Sequence, residues 1–402
     1  MEKREKVLLL SSIILVGFVI GVIFHYILGF YFGLPEPYKT FLCNSDLIFV
    51  DFNNILYFLK NFAPYKEFPN IWINYFPLAY IILFPFTLIK NLVISHILFI
   101  SIFLSFYIYM NIKFLKCKNL SNLENFQSIF IITFLTYPFL CLLISSNFDM
   151  FLFILITIFI YAFKEKKYLF ATIMLAISNA IKPLFLIFTF LFLFEKKWKE
   201  FFLSLTLTVF FIIGGFFVLK GGFLNNIHAF IINLELFKQY FIDNTSSPIL
   251  GSSDFFLALK YALCTHNHFI SISLLKKIYA FISFFTGIII LLFTLKEKIF
   301  WKKTALMIFY LLTMSFVILD YKLIFLFIPL WLFMNTKEKT NFDLIYIILF
   351  GLLFIPKKYI LIGFFKIILC SKTLNPLIML IFMGLIIFEQ LKFKKEVNEI
   401  GD

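Results

Sequence analysis

Charge is what this chain has least of. Only 14% of its 402 residues are Asp, Glu, Lys or Arg, against about 25% in an ordinary soluble domain, so water is not the solvent for most of its surface. Cysteine is also scarce. Cys43, Cys117, Cys141, Cys264 and Cys370 lie far apart, with neither the short paired spacing of a zinc site nor an even disulfide framework. No metal and no structural disulfide is expected. The two close histidines, His266 and His268 in "CTHNHF", read as solvated loop residues. No Walker sequence, GxGxxG or GxSxG occurs, which argues against a phosphate loop, a dinucleotide fold and a hydrolase elbow. No cofactor is expected.

What fills the chain instead is hydrocarbon: 62% of residues are hydrophobic, and Phe alone accounts for 63. Runs such as "VLLLSSIILVGFVIGVIF" (7 to 24) and "FFLSLTLTVFFIIGGFFVL" (201 to 219) approach or reach the roughly 20 apolar residues that cross a bilayer. They must be helical, because lipid offers no partner to open backbone groups. The sequence therefore predicts an all-α polytopic membrane bundle, about 9 to 13 segments at roughly 20 residues each, forming one integrated domain over 1–402. The first run is too long and uniform for a cleaved leader and is read as a retained span.

The formal net charge is +14, but the basic residues sit in short loops: "MEKREK", "KEKK" (164 to 167), "EKKWKE" (195 to 200), "KEKIFWKK" (296 to 303), "TKEKTN" (336 to 341) and "LKFKKE" (391 to 396). That pattern is positive-inside topology rather than a nucleic-acid surface. The loops 31–75 and 220–275 then fall outside the cell, and the expected location is the bacterial cell membrane. Between "KEKK" and "EKKWKE" too few residues remain for two full crossings, yet both ends are cytoplasmic. The solution is a broken hairpin at "NAIKP", with Pro183 ending the first half; "LDYK" (319 to 322) marks an equivalent break. A single tilted helix in each place is the alternative. The region 76–112, with prolines in "YFPLAYIILFPF", invites re-entry.

Several polar residues stand out against this background. Asp46 and Asp51 belong to an amphipathic stretch, "DLIFVDFNNILYFLKNF", suited to lying along the membrane surface. A carboxylate there can take a proton from a hydroxyl compound; equally, Asp46 can cap the helix and Asp51 be merely solvated. Lys182, Lys322 and Lys357 are isolated cations in oily segments, where charge is expensive and functional by default, although Lys357 with Lys358 also fits an interfacial anchor. Asp149 and Asp320 are similarly placed and are candidates to pair with a lysine. Tyr57, Tyr75 and Tyr321 suit stacking on sugar faces. Asn244, in "QYFIDNTSSPILGSSDFF" (239 to 256), belongs to a loop rich in small hydrogen-bonding groups.

The order "DFNNILYF...APYKEF...NYFPLAYIILFPF", then "SSNFDMFLF" with its Asn147 and Asp149, then "NAIKP", "LDYKLIFLFIPLWLF" and "LFIPKKY", resembles glycosyltransferase family 87 and related GT-C membrane enzymes, over roughly residues 45 to 360. The resemblance implies a GT-C-like bundle that transfers a sugar from a polyprenyl-phosphate donor to a glycan or lipid acceptor on the extracytoplasmic side. Asp51 matches the family's base, with Asp46 as second choice, and inversion at the sugar carbon is expected. Lys182, Lys322 and Lys357 are expected around the phosphate. No nucleic acid is expected as partner; membrane lipid is. The alternative is a transporter or flippase for lipid-linked glycan precursors, although no convincing internal repeat is visible.

Overall fold

In the computed structural model, residues 1–33, 49–59, 62–65, 75–243, 255–260, 263, 270–357 and 371–401 are described. Among them there are helices and no strands. The α-helices are α1 (Lys3–His25), α2 (Val50–Leu59), α3 (Pro77–Thr87), α4 (Leu92–Leu115), α5 (Asn122–Phe134), α6 (Tyr137–Ser145), α7 (Asp149–Lys164), α8 (Tyr168–Ile181), α9 (Phe190–Phe194), α10 (Trp198–Val218), α11 (Phe223–Lys238), α12 (Phe255–Lys260), α13 (Ile272–Lys296), α14 (Phe300–Met314), α15 (Phe327–Met334), α16 (Asp343–Phe354) and α17 (Ser371–Gly401).

Among the described residues, five stretches are long and apolar enough to cross a membrane: Lys3–Tyr31, Leu92–Leu115, Trp198–Val218, Ile272–Lys296 and Thr373–Lys392. Their outward residues are Val, Ile, Leu and Phe, exposed where a soluble protein would carry charge. This is a helical integral membrane protein. A sixth span is reached if α5 and α6, bent by 53° at their junction, count as one. Shorter apolar helices are also present, α3, α8 and α16 and the stretch Pro183–Phe194 among them.

The breaks have local causes. Lys182 is extended (φ −154°, ψ 117°) between α8 and a 3₁₀ turn, Pro183–Thr189, that opens with the proline. A residue preceding proline is driven out of the helical region by the ring, so α8 must end there. The second break has the same order of parts: α14, then Ser315–Leu319, a 3₁₀ turn over Asp320–Leu326, and α15.

Contacts divide the chain into two compact units. One comprises Met1–Ser45, Ile108–Leu142 and Thr245–Asp402; the other comprises Asp46–Tyr107 and Leu143–Asn244. In the first, α1 and α16 approach closely enough to exclude side chains. A Cβ on Gly17 would lie 2.3 Å from Ile355 Cγ2, and one on Gly351 would lie 2.6 Å from Ile13 Cγ2. Ile13 of α1 thus sits over Gly351 of α16, and Ile355, the cap residue that ends α16, sits over Gly17 of α1, the close approach by which helices associate in lipid. The basic loops of this unit gather at one end: Lys6 pairs with Asp343 at 3.0 Å, Lys339 with Glu2 at 3.5 Å and Lys302 with Glu389 at 2.8 Å. In the second unit α7 and α8 form a hairpin through the turn Glu165–Lys167, and α10 packs on α3 with Gly215 against Pro77.

Candidate functional site

Two tight turns in the second unit bring its polar residues together. At the first, Phe49 adopts φ +61° and leads into α2, which begins at Val50, so Asp51 stands in the helix's first turn. At the second, Ser146 adopts φ +46° between α6 and α7. Left-handed backbone is uncommon outside glycine and points to a constraint imposed by the surroundings. The turns are joined: Phe49 N–H donates to Ile144 O at 2.7 Å, and Asn147 Nδ2 donates to Asp51 Oδ2 at 2.7 Å.

The other end of the Asn147 amide is equally fixed. Its Oδ1 accepts from the Tyr75 hydroxyl at 3.0 Å and from the Asp149 backbone N–H at 2.9 Å. With the oxygen bound to two donors, the amide nitrogen has to face Asp51, and the orientation of Asn147 follows from its partners. Tyr75 is itself held: Tyr65 Oη donates to Tyr75 O at 2.7 Å, and the neighbouring Phe76 N–H donates to Ile181 O at 3.2 Å.

Asp149 heads α7 and is wholly buried. Its neighbour is Lys182 at the α8 break, with Nζ 3.7 Å from Asp149 Oδ1 and 5.0 Å from the centre of the Tyr75 ring. That separation is an ion pair without a hydrogen bond, and among the described residues no donor reaches either Asp149 oxygen. A buried carboxylate in this condition is costly unless something donates to it. The amide of Asn179, one turn before Lys182 on α8, is also buried with neither end bonded among the described residues.

Asp51 is part-exposed and feels opposing influences. Burial pushes its carboxyl above the ordinary range; the Asn147 N–H pulls it down, the nearby Asp149 charge pushes it up and Lys182 pulls it down. Burial wins, so Asp51 is a stronger base than an exposed aspartate. Tyr75, raised by burial and by both carboxylates, stays protonated and remains a donor.

Tyr57 is exposed on α2 and sits edge-on to Phe58. Asp320, Tyr321, Lys322 and Lys357 belong to the first unit, where Tyr137 Oη donates to Asp320 Oδ2, Lys322 Nζ donates to Val317 O at 3.4 Å and Lys357 Nζ donates to Ile355 O at 2.9 Å. Asp46 and Asn244 lie outside the described residues. Sequence reasoning passed over His96 and Ser146, joined at 2.8 Å beside the Asp51 turn; a lone histidine in the apolar run "LVISHILF" was the available signal. Compared with protein-family models, curated proteins and solved structures, this chain matches none of them.

Proposed function

We propose that the chain is a GT-C-like membrane glycosyltransferase that uses a polyprenyl-phosphate sugar, with Asp51 as general base. The observation that carries this reading is the part-exposed Asp51 carboxylate, oriented by Asn147 next to the Asp149–Lys182 pair. Asp51 takes the proton of an acceptor hydroxyl; that oxygen forms a bond to the anomeric carbon as the bond from this carbon to the phosphate oxygen breaks, and the electron pair leaves with the lipid phosphate. Direct displacement inverts the carbon. Phosphate is a good leaving group once its charge is compensated, and Lys182 supplies a point charge for it.

Sidedness supports the same reading. Asp149 and the basic turn Glu165–Lys167 stand at opposite ends of α7, a helix of 16 residues and therefore about 24 Å long. If the turn is cytoplasmic by the charge rule, Asp51, Asn147 and Asp149 are at the outer face, where a polyprenyl-linked donor and its acceptor meet. The test is transfer of labelled sugar from polyprenyl phosphate in proteoliposomes: the wild type forms a new glycosidic bond and Asp51→Asn does not. Transfer at the wild-type rate by Asp51→Asn overturns the assignment.

One observation favours a transporter or flippase as second reading. Each unit contains an interrupted helix followed by a 3₁₀ turn and a short helix, with a lysine and an aspartate nearby: in one, Lys182 stands just before the turn beside Asp149, and in the other Asp320 and Lys322 lie within the turn; discontinuous helices are a feature of transporter sites. Labelled lipid-linked glycan that changes leaflet without forming a new bond would favour it.

A further inference from the structure

The two left-handed turns that meet at Asp51 and Asn147 share one neighbour, His96 of α4. Its ring is 4.1 Å from that of Phe49, edge-on, and 5.0 Å from that of Phe52, between centroids. Its Nε2 is 2.8 Å from Ser146 Oγ. The direction of that bond follows from the rest of the network. The Ser146 hydroxyl donates its single proton to Leu143 O at 3.0 Å, so toward His96 it accepts, and Nε2 carries the hydrogen. The ring is 8% exposed, and the preceding Ser95 ties this end of α4 to Phe86 O at 3.0 Å.

Two of these contacts, to Phe49 and to Ser146, fall on residues whose backbone would not choose its conformation unaided. Ser146 at φ +46° immediately precedes Asn147, and Phe49 at φ +61° comes two residues before Asp51. Strained backbone persists only where its surroundings over-determine it. For both turns, the ring of His96 is part of those surroundings.

We propose that His96 is a positioning residue for the Asp51 carboxylate: by donating to Ser146 Oγ and wedging against Phe49 it holds the two turns in the register that aims Asn147 Nδ2 at Asp51. This inference rests on the proposed role of Asp51 as base. It assigns His96 no contact with substrate and no proton transfer.

The consequence is measurable on the carboxylate itself. If the turns relax, Asp51 loses an N–H donor that favours its charged form, so its protonated form persists to higher pH. Asp149, Lys182 and Tyr75 are the other ionisable groups around Asp51; among the described residues none of them bonds to His96, so a change there reaches Asp51 through the two turns and Asn147. The experiment uses the full chain in proteoliposomes, with a hydrophobic carbodiimide that modifies protonated carboxyls and peptide mass spectrometry to follow Asp51 against pH. In His96→Phe the midpoint should rise by about one pH unit, the equivalent of one weakened hydrogen bond to a charge. His96→Gln, which retains a donor but loses the ring packed on Phe49, should shift the midpoint by clearly less than His96→Phe does. Ser146→Ala removes the acceptor with little change of volume and should move the midpoint as His96→Phe does. In the transfer assay His96→Phe should lower kcat roughly tenfold to a hundredfold with donor KM nearly unchanged. An unshifted midpoint in both His96→Phe and Ser146→Ala overturns the inference, as does His96→Gln behaving like His96→Phe. If Asp51→Asn still transfers sugar, the functional reading fails, while the modification midpoint still decides the role of His96.

Discussion

At the scale of single residues, the site depends on a few side chains whose replacement separates chemistry from packing. Asp51→Asn keeps the shape of a part-exposed side chain and should leave abundance in the membrane near normal, while loss of the proposed general base should cost roughly 10²–10⁴-fold in rate. Membrane yield and single-turnover transfer, measured together, check it. Asn147→Ala removes the donor that lowers the Asp51 pKa; the acid limb of kcat/KM should therefore move to higher pH, with activity lost as pH falls through it. A pH profile of unchanged position would show that Asn147 does not govern the carboxylate. Lys182→Met should raise donor KM, and Lys182→Arg should retain part of the function because a point charge is what is needed. Most of these residues were legible because charge in an oily run is conspicuous: Asp51, Asp149 and Lys182 announce themselves. Asn147 and Tyr75 followed from their order along the chain. His96 and Ser146 were not legible, since their importance comes from two turns meeting, and hydrophobic periodicity carries no information about that.

At the scale of elements, the helix break at Lys182 is legible in the amino-acid order alone, because Pro183 dictates the conformation of the residue that precedes it. The second break lacks a proline at the corresponding point, and only the charged "LDYK" marks it. The interlock of α1 and α16 was less obvious. Gly17 and Gly21 form a small-xxx-small pair in α1, but nothing in α1 names its partner. Gly17→Leu forces a side chain into the space of Ile355 and should cost about 1–3 kcal/mol, as overpacking does, seen as a lower thermal midpoint in detergent. Adding Ile355→Ala should restore part of the loss. Equal midpoints for Gly17→Leu and wild type would mean that the two helices can separate without penalty.

At the scale of the whole molecule, composition alone identifies a membrane protein, whereas the number of crossings is obscured because short helices and broken ones share the same apolar residues. Sidedness can be tested within one unit. Asn54 is exposed on α2 and Lys166 is exposed in the α7–α8 turn. In a cysteine-free background, Asn54→Cys should react with an impermeant maleimide added to whole cells, and Lys166→Cys should react only after permeabilisation; the reverse pattern would place Asp51 in the cytoplasm. The glycine–isoleucine interlock also has a consequence for biogenesis. The seat for Gly17 is Ile355, which the ribosome reaches roughly 340 residues later, an interval on the order of half a minute at usual elongation rates. Throughout that time the seat at Gly17 is unfilled, so although α5, which also packs on α1, is made early, this contact cannot form in order of synthesis. The first span must wait, shielded by lipid or by the insertion machinery, for one of the last helices to arrive.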